Sequence, residues 1–113
     1  MGWLWCNWGR WGSTQVVPEG WLRKSVRVNG DLLENAPREQ WQYGYGFWSN
    51  EYGLLWPNLP RDGFTASGAG GHYVTVFPSQ RLVIVQNPGP YRAGPDASRA
   101  NGDLLAIVLD AIK

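Results

Sequence analysis

Apolar residues recur at helical spacing near both ends of the chain and at alternating spacing in between. At the start, Leu4, Trp8 and Trp11 stand at i, i+4 and i+7, with Trp3 and Trp5 widening the apolar face. This predicts a helix within residues 1–11, closed by Gly9 and Gly12. The run is apolar and uncapped, the pattern of a helix interior more than of a helix start. After the short stretch Gln15, Val16, Val17, the pair Pro18 and Glu19 marks a second helix start, carrying Trp21, Leu22 and Val26. Residues 29–40 are polar and read as a surface connection. From 41 to 48, Trp41, Tyr43, Tyr45 and Phe47 alternate with small or polar residues, which predicts a strand with one aromatic face. Residues 50–62, rich in Gly, Pro and Asn, read as a loop.

The clearest pattern follows. Residues 64–69 read as a strand of small residues, and Gly70-Gly71 as a bulge or bend. Over 72–77, Val74 and Val76 share one face, and Tyr73, Thr75 and Phe77 the other. Residues 78–81 turn the chain into Leu82-Val83-Ile84-Val85, a strand apolar on both faces, which implies a sheet covered on both sides. From Asp96 onward, Ala100, Leu104, Val108 and Ala111 keep helical spacing, reinforced by Leu105, Ile107 and Ile112. Gly102 is a weak point that places the proper helix start near Asp103. The fold class is α+β: an antiparallel sheet with a C-terminal helix packed on it. There is no internal repeat or low-complexity segment.

A chain of 113 residues fits one domain or a piece of one, and can bury roughly two thirds of its unfolded surface. The arginines are scattered and the formal net charge is +1. Phosphate-backbone binding relies on clustered cations, so nucleic acid is not an expected partner. Cys6 is the single cysteine, which excludes an internal disulfide and a cysteine-rich zinc site. No basic-then-apolar signal opens the chain, and Met1-Gly2 lacks the Ser or Thr of a myristoylation motif at position 6. No apolar stretch reaches the roughly 18–20 residues of a membrane span. The expected state is soluble, cytoplasmic or periplasmic according to what precedes Met1.

Four segments, in order, resemble the C-terminal region of serine hydrolases of the β-lactamase and penicillin-binding-protein type, specifically the class C β-lactamase-related group. The first is Asn7-Trp8-Gly9-Arg10-Trp11-Gly12 followed by Gln15-Val16-Val17-Pro18-Glu19-Gly20-Trp21. The second is Tyr43-Gly44-Tyr45-Gly46-Phe47-Trp48. The third, Phe64-Thr65-Ala66-Ser67-Gly68-Ala69-Gly70-Gly71-His72-Tyr73, is similar to the family's third active-site motif and its strand. The fourth runs from Pro78 through Val85. The resemblance covers about Gly2 to Ile112 and implies that residues 1–113 are an incomplete, C-terminal part of such a domain.

The family's reaction is acyl transfer through a Ser-x-x-Lys nucleophile, with a proton-shuttling Tyr or Ser motif and no cofactor. Neither motif occurs here. The only lysines, Lys24 and Lys113, have no Ser three residues before them. Both motifs lie upstream in the family, which implies a missing N-terminal half as partner. The resemblance assigns Ala66, Ser67 and Gly68 to the substrate-binding third motif, with Gly68 allowing close approach, and the Ala69 backbone N–H to the oxyanion hole. Ala66 stands where a cation is usual, so a small-molecule ester or amide suits the site better than a β-lactam. Trp56 is the best aromatic candidate for a substrate-cleft wall.

Other chemistries find less support. One His cannot assemble a metal site, the carboxylates form no glycosidase pair, and His72 reads as a strand-end residue satisfied by neighbours. Cys6 reads as packed and not reactive. The eight tryptophans also suit a small aromatic-rich carbohydrate- or peptide-binding module, the alternative to a hydrolase fragment. The fragment reading further predicts an unpaired sheet edge and self-association.

Overall fold

The structure, a computed structural model, describes residues 1–87 and 95–112, with the side chains of the latter segment given from Asn101 onward. Four helices occur in it: α1 (Gly2–Cys6), α2 (Glu19–Ser25), α3 (Gly30–Asn35) and α4 (Pro95–Ala111). The strands are β1 (Arg10–Trp11), β2 (Thr14–Gln15), β3 (Trp48–Ser49), β4 (Phe64–Gly68), β5 (His72–Phe77) and β6 (Leu82–Gln86). β1 and β2 form a small hairpin, and the remaining strands make an antiparallel sheet in the order β3-β4-β5-β6. The class is therefore α+β with a C-terminal helix on the sheet.

Strand alternation divides the sheet into two apolar faces. The register pairs Phe64 with Val76, Ala66 with Val74, and Val76 with Val83. These residues face α1, where a Cβ on Gly2 would meet Val83 and Val74 side-chain atoms at 2.5 and 3.0 Å. Cys6, Leu22, Val26, Phe64 and Val76 form the core on that side. On the other face, Phe77 packs with Trp56, Leu105 and Leu109, joined by Leu82 and Ile84. Covering on both faces explains why Leu82 to Ile84 of β6 are apolar on either side, although Val85 stays 60% exposed.

Several sequence expectations are corrected. The first helix ends at Cys6, not near residue 11. Trp8 N–H donates to the Trp5 carbonyl and Gly9 N–H to that of Leu4, the paired bonds that terminate a helix when the residue between them turns left-handed. Trp8 supplies that turn at φ 54°, and Arg10 and Trp11 continue as β1. The polar stretch 29–40 contains α3, capped by the Asn29 side chain, which accepts from Leu32 N–H at 3.0 Å. The expected aromatic strand over 41–48 is instead a tight hairpin. Gly44 N–H donates to the Phe47 carbonyl at 2.8 Å, and only a Tyr43–Trp48 bridge and the two-residue β3 have strand pairing.

Its aromatics accordingly go to separate partners. Phe47 meets Trp5 and Phe64, Tyr45 meets Trp21, and Tyr43 meets Trp48 edge-on. The terminal helix runs through Gly102 without stopping there. A Cβ at that position would lie 3.5 Å from Trp56, an ordinary contact. The inward face of α4 is Asn101, Leu105 and Leu109, while Ile107, Ala111 and Ile112 are exposed. The expected stripe through Leu104 and Val108 is thus rotated to the flank; the side chain of Ala100 lies outside the described residues.

Candidate active-site wall on strand four

β4 is short, and its neighbours give its two edges different fates. β5 pairs with it along its whole length, from Phe64 opposite Val76 to Gly68 opposite His72. β3 covers only Phe64 and Thr65 on the other edge. Among the described residues, Ala66, Ser67 and Gly68 therefore have no strand on their outer side. β4 ends at Gly68, and the turn to β5 is Ala69, Gly70 and Gly71, with φ of 88° and 86° at the two glycines. That left-handed geometry suits glycine and accounts for the Gly-Gly pair. Ala69 is exposed and sits in the turn, one residue past the strand.

Alternation separates the resemblance-assigned residues. Ala66 faces α1 with Val74, and by the same alternation Gly68 is on that side. Ser67 faces α4 with Tyr73, its partner in register. Ser67 and Trp56 are brought together: both line a cleft of about 370 Å³ with Gln42, Trp48, Leu55, Thr65, Tyr73 and Asn101. Trp56 has a double role, since it is 6% exposed and packs on Phe77 at a ring separation of 5.7 Å. Beneath the cleft, the buried Thr65 and Thr75 hydroxyls lie 2.9 Å apart, and the Thr65 hydroxyl donates to the Val74 carbonyl at 3.1 Å. Asn101 Nδ2 donates to Gln86 Oε1 at 3.0 Å, tying α4 to β6 at the cleft.

Two positioning residues escaped the sequence reading. Asn50 is fully buried. Its Oδ1 accepts from Trp56 N–H at 2.8 Å, and its Nδ2 faces the carbonyls of Trp56, Leu59 and Pro60 at 3.0–3.3 Å. One amide thus organises the loop that carries Trp56. Glu51 accepts from the Arg27 guanidinium at 3.0 Å and from Val28 N–H at 2.9 Å, joining the segment after α2 to the same loop. The available signal was an Asn opening a Gly- and Pro-rich loop, a residue type that bonds local backbone.

Cys6 is buried, and burial pushes its thiol pKa up; nearby Arg81 opposes this and Asp62 adds to it. Since the thiolate is the reactive form, Cys6 is expected to react with a maleimide at least about tenfold more slowly in the native chain than in urea. Equal rates would place the thiol in solvent. His72 Nδ1 lies 3.1 Å from Asn87 Oδ1 at the strand end. Among the described residues no group of three or more His, Cys, Asp and Glu side chains could hold a metal ion, and no helix is long and apolar enough to cross a membrane.

No family model matches this chain. Nor does any curated protein match it in sequence. The functional reading therefore rests on the residues themselves.

Proposed function

We propose that the chain is the C-terminal part of a β-lactamase-like serine hydrolase, supplying one active-site wall and one oxyanion-hole N–H for acyl transfer from a small-molecule ester or amide. The observation that carries this reading is the bare outer edge of β4 at Ala66, Ser67 and Gly68. An extended substrate can lie along such an edge and bond its backbone groups. Gly68 has only His72 within 4 Å of a would-be Cβ, at 3.5 and 3.8 Å, so a ligand can approach it closely. Ala69 follows directly, and its N–H is assigned to the developing oxyanion. Ala66 offers no cation, which favours esters or amides over β-lactams.

The nucleophile and its base come from a segment outside these 113 residues, because no Ser-x-x-Lys lies within them. The other end of the sheet agrees: β6 pairs only with β5 among the described residues, leaving a second edge for an N-terminal half to extend. By itself the chain is catalytically inactive.

The test starts with the reading frame upstream of Met1. A segment encoding Ser-x-x-Lys and then a Tyr-containing motif is expected there or in a neighbouring gene. Co-expressed with it, the chain is expected to hydrolyse a p-nitrophenyl ester, and Gly68→Val to lower kcat/KM by about 100-fold. The absence of any such segment, or hydrolysis by the chain alone, sinks the proposal.

One observation favours the binding-module reading. Trp3 and Trp11 are 45% and 61% exposed and line a groove of about 700 Å³ with Trp8, Arg10, Glu19 and Arg81. A soluble glycan that quenches Trp fluorescence saturably would support it; the hydrolase reading expects no response.

A further inference from the structure

A built cleft lies between β4 and α4, next to the bare edge. Three of its walls are aromatic: Trp48, Trp56 and Tyr73. Trp56 cannot swing away, because Asn50 bonds its backbone N–H and carbonyl, and Phe77 backs its ring. Trp48, 38% exposed, stands opposite Thr65 and is braced edge-on by Tyr43 at 4.8 Å. A pocket with walls fixed in advance loses little entropy on binding. The described lining also holds Gln42, Ser67, Thr65 and Asn101, but no carboxylate, ammonium, guanidinium or imidazole. Neutral donors and acceptors orient an uncharged ligand, while a carboxylate would be desolvated there without a cation to compensate it.

Its position matters as much as its chemistry. Ser67 belongs both to the cleft lining and to the bare edge of β4. Successive side groups of a chain laid along a strand alternate between the two faces of the sheet, so one group of an edge-bound ligand falls on the cleft side. The geometry points to this cleft as the specificity pocket for an uncharged aromatic side group, of benzyl or phenyl type, on the ester or amide substrate. This assignment rests on the hydrolase reading for the word substrate, not for the binding itself.

Binding is therefore measured without catalysis. The full chain, labelled with nitrogen-15, is titrated with benzyl alcohol, and separately with benzoate, while the indole N–H resonances are followed. Benzyl alcohol is expected to shift Trp48 and Trp56 saturably, with a Kd of about 1 mM, and benzoate to bind at least about tenfold more weakly. Ser67→Trp, which fills the cleft, is expected to abolish the shifts, with far-UV circular dichroism reporting whether it folds. Trp48→Ala, at a half-exposed position, provides the second variant and should weaken binding about fivefold. No saturable shift, equal binding of benzoate, shifts confined to Trp3, Trp8 and Trp11, or unchanged affinity in Trp48→Ala would each overturn the pocket. If the shifts occur but the assembled protein cleaves no ester, the hydrolase reading falls and the pocket stands. The reverse pattern removes the pocket alone.

Discussion

Asn50→Leu is expected to lower the unfolding free energy by about 3 kcal/mol, read as a fall in the thermal midpoint of more than about 10 °C. Leucine keeps the branching and heavy-atom count of asparagine but is bulkier, so no cavity opens and crowding at this buried site adds to the loss. What it removes is the side-chain acceptor for Trp56 N–H and the shared donor for the carbonyls of Trp56, Leu59 and Pro60. The site is fully buried, so water cannot take over these bonds without opening the loop. A change below about 1 kcal/mol would mean that the loop finds other partners.

Asn50→Asp separates hydrogen bonding from shape. One carboxylate oxygen would replace Nδ2 and face the three carbonyls, and both burial and repulsion raise the folded-state pKa. The folded state then holds its proton more tightly than the unfolded chain, whose Asp titrates near about 3.9. Stability relative to the parent is greatest below that pH and is lost as pH rises through the folded value. Asn50→Asp should thus approach the parent in acid and fall furthest below it at neutral pH. Denaturant melts of both proteins at each pH give the difference directly.

The parts of this fold legible in the sequence are those in which one periodicity persists. Val74 and Val76 alternate against Tyr73, Thr75 and Phe77, and the strand follows. Pro78 marks the turn, and the doubly apolar β6 signals cover on both faces. The failures share a cause, which is that a local backbone event overrode the side-chain pattern. Trp8 keeps helical spacing from Leu4, yet its left-handed backbone has already ended the helix. Trp41, Tyr43, Tyr45 and Phe47 alternate as a strand would, but two glycines fold them into a hairpin. In the candidate site, Ser67 and Trp56 were both marked from the sequence and share a cleft. That Ala66 lies across the sheet from Ser67 follows from strand period alone. Gln42, Tyr73 and Asn101 arrive from distant segments, and no spacing rule foretells such a meeting.

Those two hairpin glycines carry the other large expected effect, and they separate space from backbone angle. Gly46 has φ 91° with nothing within 4 Å of a would-be Cβ, so Gly46→Ala meets only the left-handed penalty, about 1 kcal/mol. At Gly44 a Cβ would lie 2.1 Å from the Ser25 carbonyl oxygen and 2.4 Å from that of Arg27. Both are backbone atoms at the end of α2, where the Ser25 oxygen already accepts from Tyr45 N–H at 2.8 Å. Asn29 Nδ2 adds bonds to the Tyr43 and Gly44 carbonyls at 3.3 and 3.2 Å. Neither partner can retreat without breaking this seam, so Gly44→Ala should cost about 4 kcal/mol or more. The hairpin also sets Phe47 into the core and Trp48 at the mouth of the cleft. Forcing it off α2 is therefore expected to weaken benzyl alcohol binding even under conditions that keep the variant folded. Melts of the two alanine variants side by side test the argument. If Gly44→Ala is no worse than Gly46→Ala, the hairpin does not pack on α2 as described.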